Sequence, residues 1–237
     1  MKKQQKSSKR KASHQALGKR SSAYLKKLTI AVLGEGRVGK SSLIRGFCGE
    51  GFQEEYVPTI EEFVSKHLLY NDRTYQLDII DTCGSENFPA IRRVDIAKAD
   101  AIILVYSIDN PRSFEQLQQY REEIIAEKGN SVPVLVVANK SDLSLDGDGH
   151  SLTITDRLGC RVNTRDVVLK RWKYLWSITS CKMNWGVQEP FHGILDEIQR
   201  KKLENNNNNN SPTMQRKTSW LNRNLSLSLR RTRSART

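Results

Sequence analysis

The run Gly34-Glu35-Gly36-Arg37-Val38-Gly39-Lys40-Ser41-Ser42 sets a lysine and a hydroxyl directly behind a glycine-rich turn. Read as G-x-x-x-x-G-K-S, it is a phosphate cradle. Backbone N–H groups turn inward around an anion, Lys40 reaches β- and γ-phosphates, and the Ser41 hydroxyl is a magnesium ligand. Gly34, Gly36 and Gly39 also satisfy the G-x-G-x-x-G spacing of a dinucleotide turn. A pyrophosphate on such a turn needs no Lys-Ser after the last glycine, whereas a metal-bound triphosphate does, so the triphosphate is preferred.

Two further stations fit that ligand. Asp81-Thr82-Cys83-Gly84 stands where the apolar residues 77–80 stop. An acid there can support Mg²⁺ through water, and the glycine N–H can approach a γ-phosphate with no side chain in the way. Asn139-Lys140-Ser141-Asp142 ends the apolar residues 132–138. The Asp142 carboxylate can accept from both N1–H and the exocyclic amine of guanine, a pattern adenine reverses. Asn139 and Lys140 would fix the loop and flank the ring. Either motif alone is as readily an ordinary turn; behind a phosphate cradle, in this order, they describe a guanine-nucleotide site.

Loops so far apart in the chain meet only if each closes an element of one sheet. Residues 28–33 read as a buried strand and residues 40–47 as a helix broken at Gly49-Glu50-Gly51, its positive end aimed at the anion. A proline loop containing Tyr56-Val57-Pro58-Thr59-Ile60 precedes residues 63–69 and 74–80, which alternate as a hairpin about Asn71-Asp72. Residues 101–106 and 132–138 are continuous apolar runs, as in strands covered on both faces. Asn110-Pro111 opens a helix with Phe114, Leu117, Ile124 and Ile125 at core spacing, and Asn163-Thr164 opens one whose Val168, Trp172 and Leu175 share a face. Residues 176–178 suit a short strand, and residues 187–203 a closing helix with Val187, Phe191, Ile194, Leu195 and Ile198 inward. Asp146-Gly147-Asp148-Gly149 hints at a calcium loop, but Ser151 and Arg157 stand where glycine and a bidentate glutamate are required, so an exposed insertion is expected. The expected fold is α/β: a mostly parallel six-stranded sheet, helices on both faces, an antiparallel edge strand, and ligand at the carboxyl ends of the strands.

The 237 residues carry a formal charge of +13, whose placement matters more than its total. Residues 1–27 hold ten Lys/Arg and residues 205–237 seven, neither with an acid, which leaves 22 basic against all 26 acidic residues in 28–204. A nucleic-acid groove on the folded part is therefore not expected, and attraction to anionic lipid or nucleic acid belongs to the tails. Residues 1–27 read as a basic disordered extension, 28–204 as the domain, and 205–237 as an asparagine spacer with a basic tail. There Trp220, Leu221, Leu225 and Leu229 fit an interfacial amphipathic helix, while the Leu/Ser alternation fits disorder equally. Ser219, Ser226 and Ser234 each follow an arginine by three residues, and phosphate on them would cancel charge.

Cys48, Cys83, Cys160 and Cys181 form no C-x-x-C pair, so neither a disulfide framework nor a zinc site is indicated and a reducing compartment fits. No apolar run approaches a membrane span, and no secretory, myristoyl or prenyl signal is expected at the ends.

The motifs in this order resemble those of the Ras superfamily of small GTPases, over roughly residues 27–203. Thr59 is similar to the switch-one threonine, Asp81 to Gly84 to switch two, Asn139 to Asp142 to the guanine box, and Ser180-Cys181-Lys182 to the last box, usually Ser-Ala-Lys. Phe52 matches the aromatic that leans on the guanine edge. Switch two with Phe88-Pro89-Ala90-Ile91-Arg92-Arg93 resembles the Dexras/Rhes and Ras-dva branches, and Thr59-Ile60-Glu61-Glu62 the Ras-type effector strand.

The resemblance implies a P-loop NTPase G domain that binds GTP or GDP with Mg²⁺ on Ser41, Thr59 and Asp81. Tyr56 joins the nucleotide contacts, and Lys40, Thr59, Gly84 and Ser85 form the catalytic set. It further implies a monomer whose effectors read Thr59 to Glu62, served by an exchange factor and a GTPase-activating protein. Ser85 departs from the family: it replaces the glutamine that orients the attacking water, so hydrolysis is expected to be slow. The prenylated cysteine is also missing. Cytoplasmic protein held peripherally at the inner plasma membrane by its basic tails is expected, with the nucleus as a second location. The alternative is a GTP-loaded, nearly non-hydrolysing binding module recruited by the same tails.

Overall fold

The computed structural model describes residues 25–55, 57, 59, 61–84, 88–144, 152–155 and 159–209. Tyr56, Ser85, the Asp146 to Gly149 segment, most of the basic N-terminal extension and the tail serines lie outside the described residues.

A six-stranded sheet is ordered β2-β3-β1-β4-β5-β8. Its strands are β1 (Lys26–Leu33), β2 (Glu61–Tyr70), β3 (Arg73–Thr82), β4 (Ala101–Ser107), β5 (Val134–Asn139) and β8 (Leu175–Ile178). Only the β2–β3 pair is antiparallel, closed at the left-handed residues Asn71 and Asp72; the other neighbours run parallel. The expected sheet and edge hairpin are therefore present. Chain order reverses on either side of β1, which places a crevice beyond its carboxyl end.

Strand periodicity divides the core in two. Ile30 and Val32 of β1, with Ala101, Ile103 and Val105 of β4, pack against α1 (Lys40–Cys48) and α5 (Glu189–Asn209). Ala31 and Leu33, with Ile102, Leu104 and Tyr106, pack against α2 (Pro89–Lys98), α3 (Pro111–Lys128) and the helical stretch after Asn163. Because both faces are covered, β4 and β5 are buried at every residue, which is why they read as unbroken apolar runs. Phe47 of α1 stacks on Phe191 of α5 with ring centres 3.8 Å apart.

Several expectations need correction. Tyr120 rather than Ile125 completes the buried face of α3; Ile125 is only half-buried. The helix after Asn163 is α4 (Thr164–Asp166) continued by a π-helical turn, Val167–Trp172. Lys173 then adopts a left-handed conformation, ending the helix, and Leu175 opens β8 and packs on the opposite core from Val168 and Trp172. Pro133 carries no N–H and β5 starts one residue later. The asparagines expected as a spacer continue α5 to Asn209, an extension of a helix already anchored by its apolar face.

One helix and two short strands had no sequence reading. Helix α2 buries only Asp95 and Ile96, too narrow a stripe to show as periodicity. Strands β6 (Thr153–Thr155) and β7 (Arg161–Asn163) form a small antiparallel pair in the segment expected as an exposed insertion, and Leu152, Ile154 and Val162 pack against the α3-side core.

The Phe47–Phe191 stack is the tightest aromatic contact between α1 and α5. Phe191→Ala is expected to lower unfolding stability by about 3–5 kcal/mol, read from the urea midpoint at unchanged slope.

Candidate functional site

The phosphate loop spans the gap between β1 and α1 with Arg37 and Gly39 at φ 65° and 97°. Gly39 has its conformation and its neighbour to thank for being glycine: a Cβ there would meet Asn139 Nδ2 at 2.2 Å. A Cβ on Gly84 would meet Gly36 N at 2.4 Å, so the turn after β3 rests directly on the phosphate loop.

Lys40 is buried, and its Nζ donates to the carbonyls of Gly34 and Glu35, both at 3.0 Å. Burial lowers its pKa, opposed by the nearby Asp81 charge. Ser41 Oγ and Thr59 Oγ1 lie 3.0 Å apart. Behind them Asp81, next to last in β3, is buried, with Oδ1 lacking any hydrogen-bond partner. Burial raises its carboxyl above the usual range, against the pull of the Ser41 hydroxyl and Lys40. Glu35 Oε2 accepts from Asn110 Nδ2 at 3.1 Å.

The third group of loops is tied by the Asn139 side chain. Its Nδ2 donates to Val38 O at 2.9 Å; its Oδ1 accepts from Thr179 Oγ1 at 2.9 Å and Cys181 N at 3.3 Å. Lys140 sits left-handed at φ 62° with Nζ 3.2 Å from Asp109 Oδ2. Ser180 Oγ donates to Asp142 Oδ1 and accepts from Met183 N, which holds the carboxylate at the mouth of the loop.

One cavity of about 670 Å³ joins these parts, lined by Gly36, Arg37, Gly39, Lys40, Ser41, Ser42, Phe52, Thr59, Gly84, Asn139, Lys140, Asp142, Cys181 and Lys182. Of the expected site residues, Gly34, Glu35, Val38, Asp81 and Ser180 stand behind this lining as its support. Volume and chemistry suit a nucleotide: a phosphate turn at one end, a carboxylate able to read a base at the other.

The Ras family sequence profile matches residues 29–200. The chain belongs to the Ras family of small GTPases. It is 36% identical over 174 residues to GTP-binding protein Di-Ras2 of Mus musculus, covering 73% of this chain and 82% of that protein. Ras-like protein 2 of Mucor circinelloides is 34% identical over 183 residues, covering 77% and 87%. GTP-binding protein rhb1 of Schizosaccharomyces pombe is 33% identical over 180 residues, covering 76% and 91%. These relatives support the Ras family without specifically supporting the Dexras/Rhes and Ras-dva branches.

Within this Ras-family site, sequence reasoning missed Thr179, Thr82 and Arg45. Thr179 orients Asn139, and Thr82 Oγ1 donates to Val32 O at 2.8 Å, locking β3 to β1 beside the loop. Arg45 Nη1 donates to Gln53 Oε1 at 2.7 Å, pinning the loop after α1 to the cavity wall. Thr179 adjoins a motif already singled out and Thr82 lies within one, as an unassigned position; nothing in the chain marks Arg45 among helix arginines.

Burial pushes the Cys181 thiol up to about 12, so it stays protonated at pH 8, whereas Cys160 is exposed. A thiol-specific reagent at pH 8 is expected to modify Cys160 first and Cys181 only on unfolding, as followed by mass spectrometry of the peptides.

Proposed function

We propose that this small GTPase is a GTP/GDP-binding switch in which Lys40, Ser41, Thr59 and Gly84 report the γ-phosphate and Asp142 selects guanine. The observation that carries this is the single cavity shared by the phosphate turn and Asp142, with Asn139 bonded to the phosphate turn and to the loop after β8.

The donor set suits Mg²⁺. Two hydroxyls, Ser41 and Thr59, converge at 3.0 Å beside a buried carboxylate oxygen with no partner, all hard oxygen donors. Bound there with GTP, the ion would neutralise charge on the β- and γ-oxygens. The protein's own part is electrostatic. Lys40 leaves the loop carbonyls for phosphate oxygens, and backbone N–H groups of residues 34–41 surround the anion at the start of α1. Thr59 and Gly84 close on the γ-phosphate and order their two loops, which release when it is lost. Effectors read the ordered Thr59 to Glu62 strand; exchange factor and activating protein act on the same loops. No general base is needed, because this chemistry depends on positioning and charge stabilisation.

Family membership favours a hydrolysing switch over a non-hydrolysing scaffold, and Ser85 makes it a slow one. Unassisted Ras turns over at ~10⁻⁴ s⁻¹ with its glutamine in place; a serine is too short to hold the same water. The domain, residues 28–204, works as a monomer. The basic segments on either side attach it to anionic membrane, at ~1 kcal/mol per basic residue near the surface, placing it at the cytoplasmic leaflet or, when released, in the cytoplasm and nucleus.

Asp142→Ala is expected to abolish the preference for guanosine over adenosine triphosphate and weaken GTP binding by at least about 100-fold, measured by calorimetry. Retained preference would refute the base assignment. Ser85→Gln is expected to speed single-turnover phosphate release by about tenfold or more; an unchanged rate would mean that water positioning is not what limits turnover.

A further inference from the structure

The loop between β4 and α3, residues 108–110, reaches both ends of the cavity through two neighbouring side chains that do not themselves line it. Asn110 Nδ2 donates to Glu35 Oε2 of the phosphate turn at 3.1 Å. Asp109 Oδ2 accepts from Lys140 Nζ of the base loop at 3.2 Å. These contacts span 75 and 31 residues of chain.

The loop that makes them is itself held. Ile108 N donates to Asn139 O and Asn110 N to Ser107 O, both at 3.1 Å. Ser107 Oγ donates to Asp109 Oδ1, so that carboxylate is fixed through both oxygens. The buried Ser113 hydroxyl accepts from Ser107 N at 3.0 Å and donates to Asn110 O at 2.5 Å. Pro111 opens α3, where its fixed φ suits the first helical turn and its missing N–H costs nothing. Side chains on a loop so constrained are directed at their partners without a large further loss of freedom.

Glu35 is an acid on a turn built to receive a polyanion, and a carboxylate pointing into that turn would repel its ligand. It is not part of the cavity lining: Asn110 holds it at the start of α3, while its backbone carbonyl accepts from Lys40 Nζ at 3.0 Å. At the other end, Asp109 and Lys140 are 37% and 33% exposed, and an ion pair so open to water adds little to stability. Its consequence is directional. Lys140 lines the cavity from a left-handed backbone, φ 62°, and Asp109 restricts an otherwise flexible four-carbon stem.

We propose that Asp109 and Asn110 are positioning residues for the nucleotide: Asn110 keeps the Glu35 carboxylate out of the phosphate turn, and Asp109 sets the Lys140 ammonium at the base end. This rests on the guanine-nucleotide reading above and adds to it a loop outside the cavity lining.

The test uses the full chain loaded with GDP that bears a fluorescent group on its ribose, with release followed after addition of excess unlabelled GDP. Asn110→Ala and Asp109→Ala are each expected to release GDP about three- to tenfold faster than wild type. The two contacts serve different parts of the ligand. In competition binding, Asn110→Ala should weaken GDP while leaving GMP, which lacks the β-phosphate, within about twofold of wild type; Asp109→Ala should weaken GDP and GMP by the same factor. A loosened fold would weaken both ligands in both variants. Asn110→Asp, which sets two carboxylates together, is expected to release GDP faster than Asn110→Ala, and Asn110→Asp/Glu35→Gln, with amide and carboxylate exchanged, to release it more slowly than Asn110→Asp alone. Either alanine variant releasing GDP at the wild-type rate, loss of the split between GDP and GMP, or no recovery in the exchanged pair overturns the positioning role and leaves the nucleotide reading standing. Wild type that takes up no guanine nucleotide overturns that reading and the positioning role with it.

Discussion

One buried primary amide holds the site together. Asn139 uses both ends of its side chain, Nδ2 toward Val38 O and Oδ1 toward Thr179 and Cys181, and is almost wholly enclosed. Its partners lie 101, 40 and 42 residues away in the chain. Satisfied amides in a low-dielectric interior rigidify what they join, and half-satisfied ones are costly. The phosphate turn, the base loop and the loop after β8 are thereby one unit, and Gly39 must lack a Cβ to let the amide reach Val38.

Against that rigid frame the charged groups are held in tension. Lys40 and Asp81 are both buried, and for each the loss of solvation outweighs the attraction of the other. Lys40 leans on two carbonyls, and one Asp81 oxygen has no partner. Bound as proposed, a polyanion with a divalent cation would satisfy both groups at once, which is the physical reason it would stabilise this end of the molecule and order the loops bearing Thr59 and Gly84.

The molecule is also polar from end to end. Carboxyl ends of the parallel strands gather the loops that line the cavity, while the starts of β1 and β3 stand at the opposite end of the sheet. Because 28–204 carries more acid than base, the positive charge of the chain belongs to residues 1–27 and 205–237.

Much of this was legible in the chain itself. The phosphate turn, the acid-glycine turn and the Asn-Lys-x-Asp loop are local motifs whose chemistry follows from residue type and spacing, and the unbroken apolar runs of β4 and β5 announce strands covered on both faces. Helix α2 was not legible because it buries two residues, and the π-helical turn was not because its winding departs from the period that places Leu175 with Trp172. The β6–β7 pair was missed because strands of three residues carry no pattern. Residue order therefore determined the kind of ligand and the class of sheet. Tertiary structure decided that Asn139 is the tie between three loops and that Thr179 and Arg45 serve the cavity. The Asn139 pairings join residues up to 101 positions apart and arise only when parallel strands bring distant segments to one edge, so no local spacing encodes them.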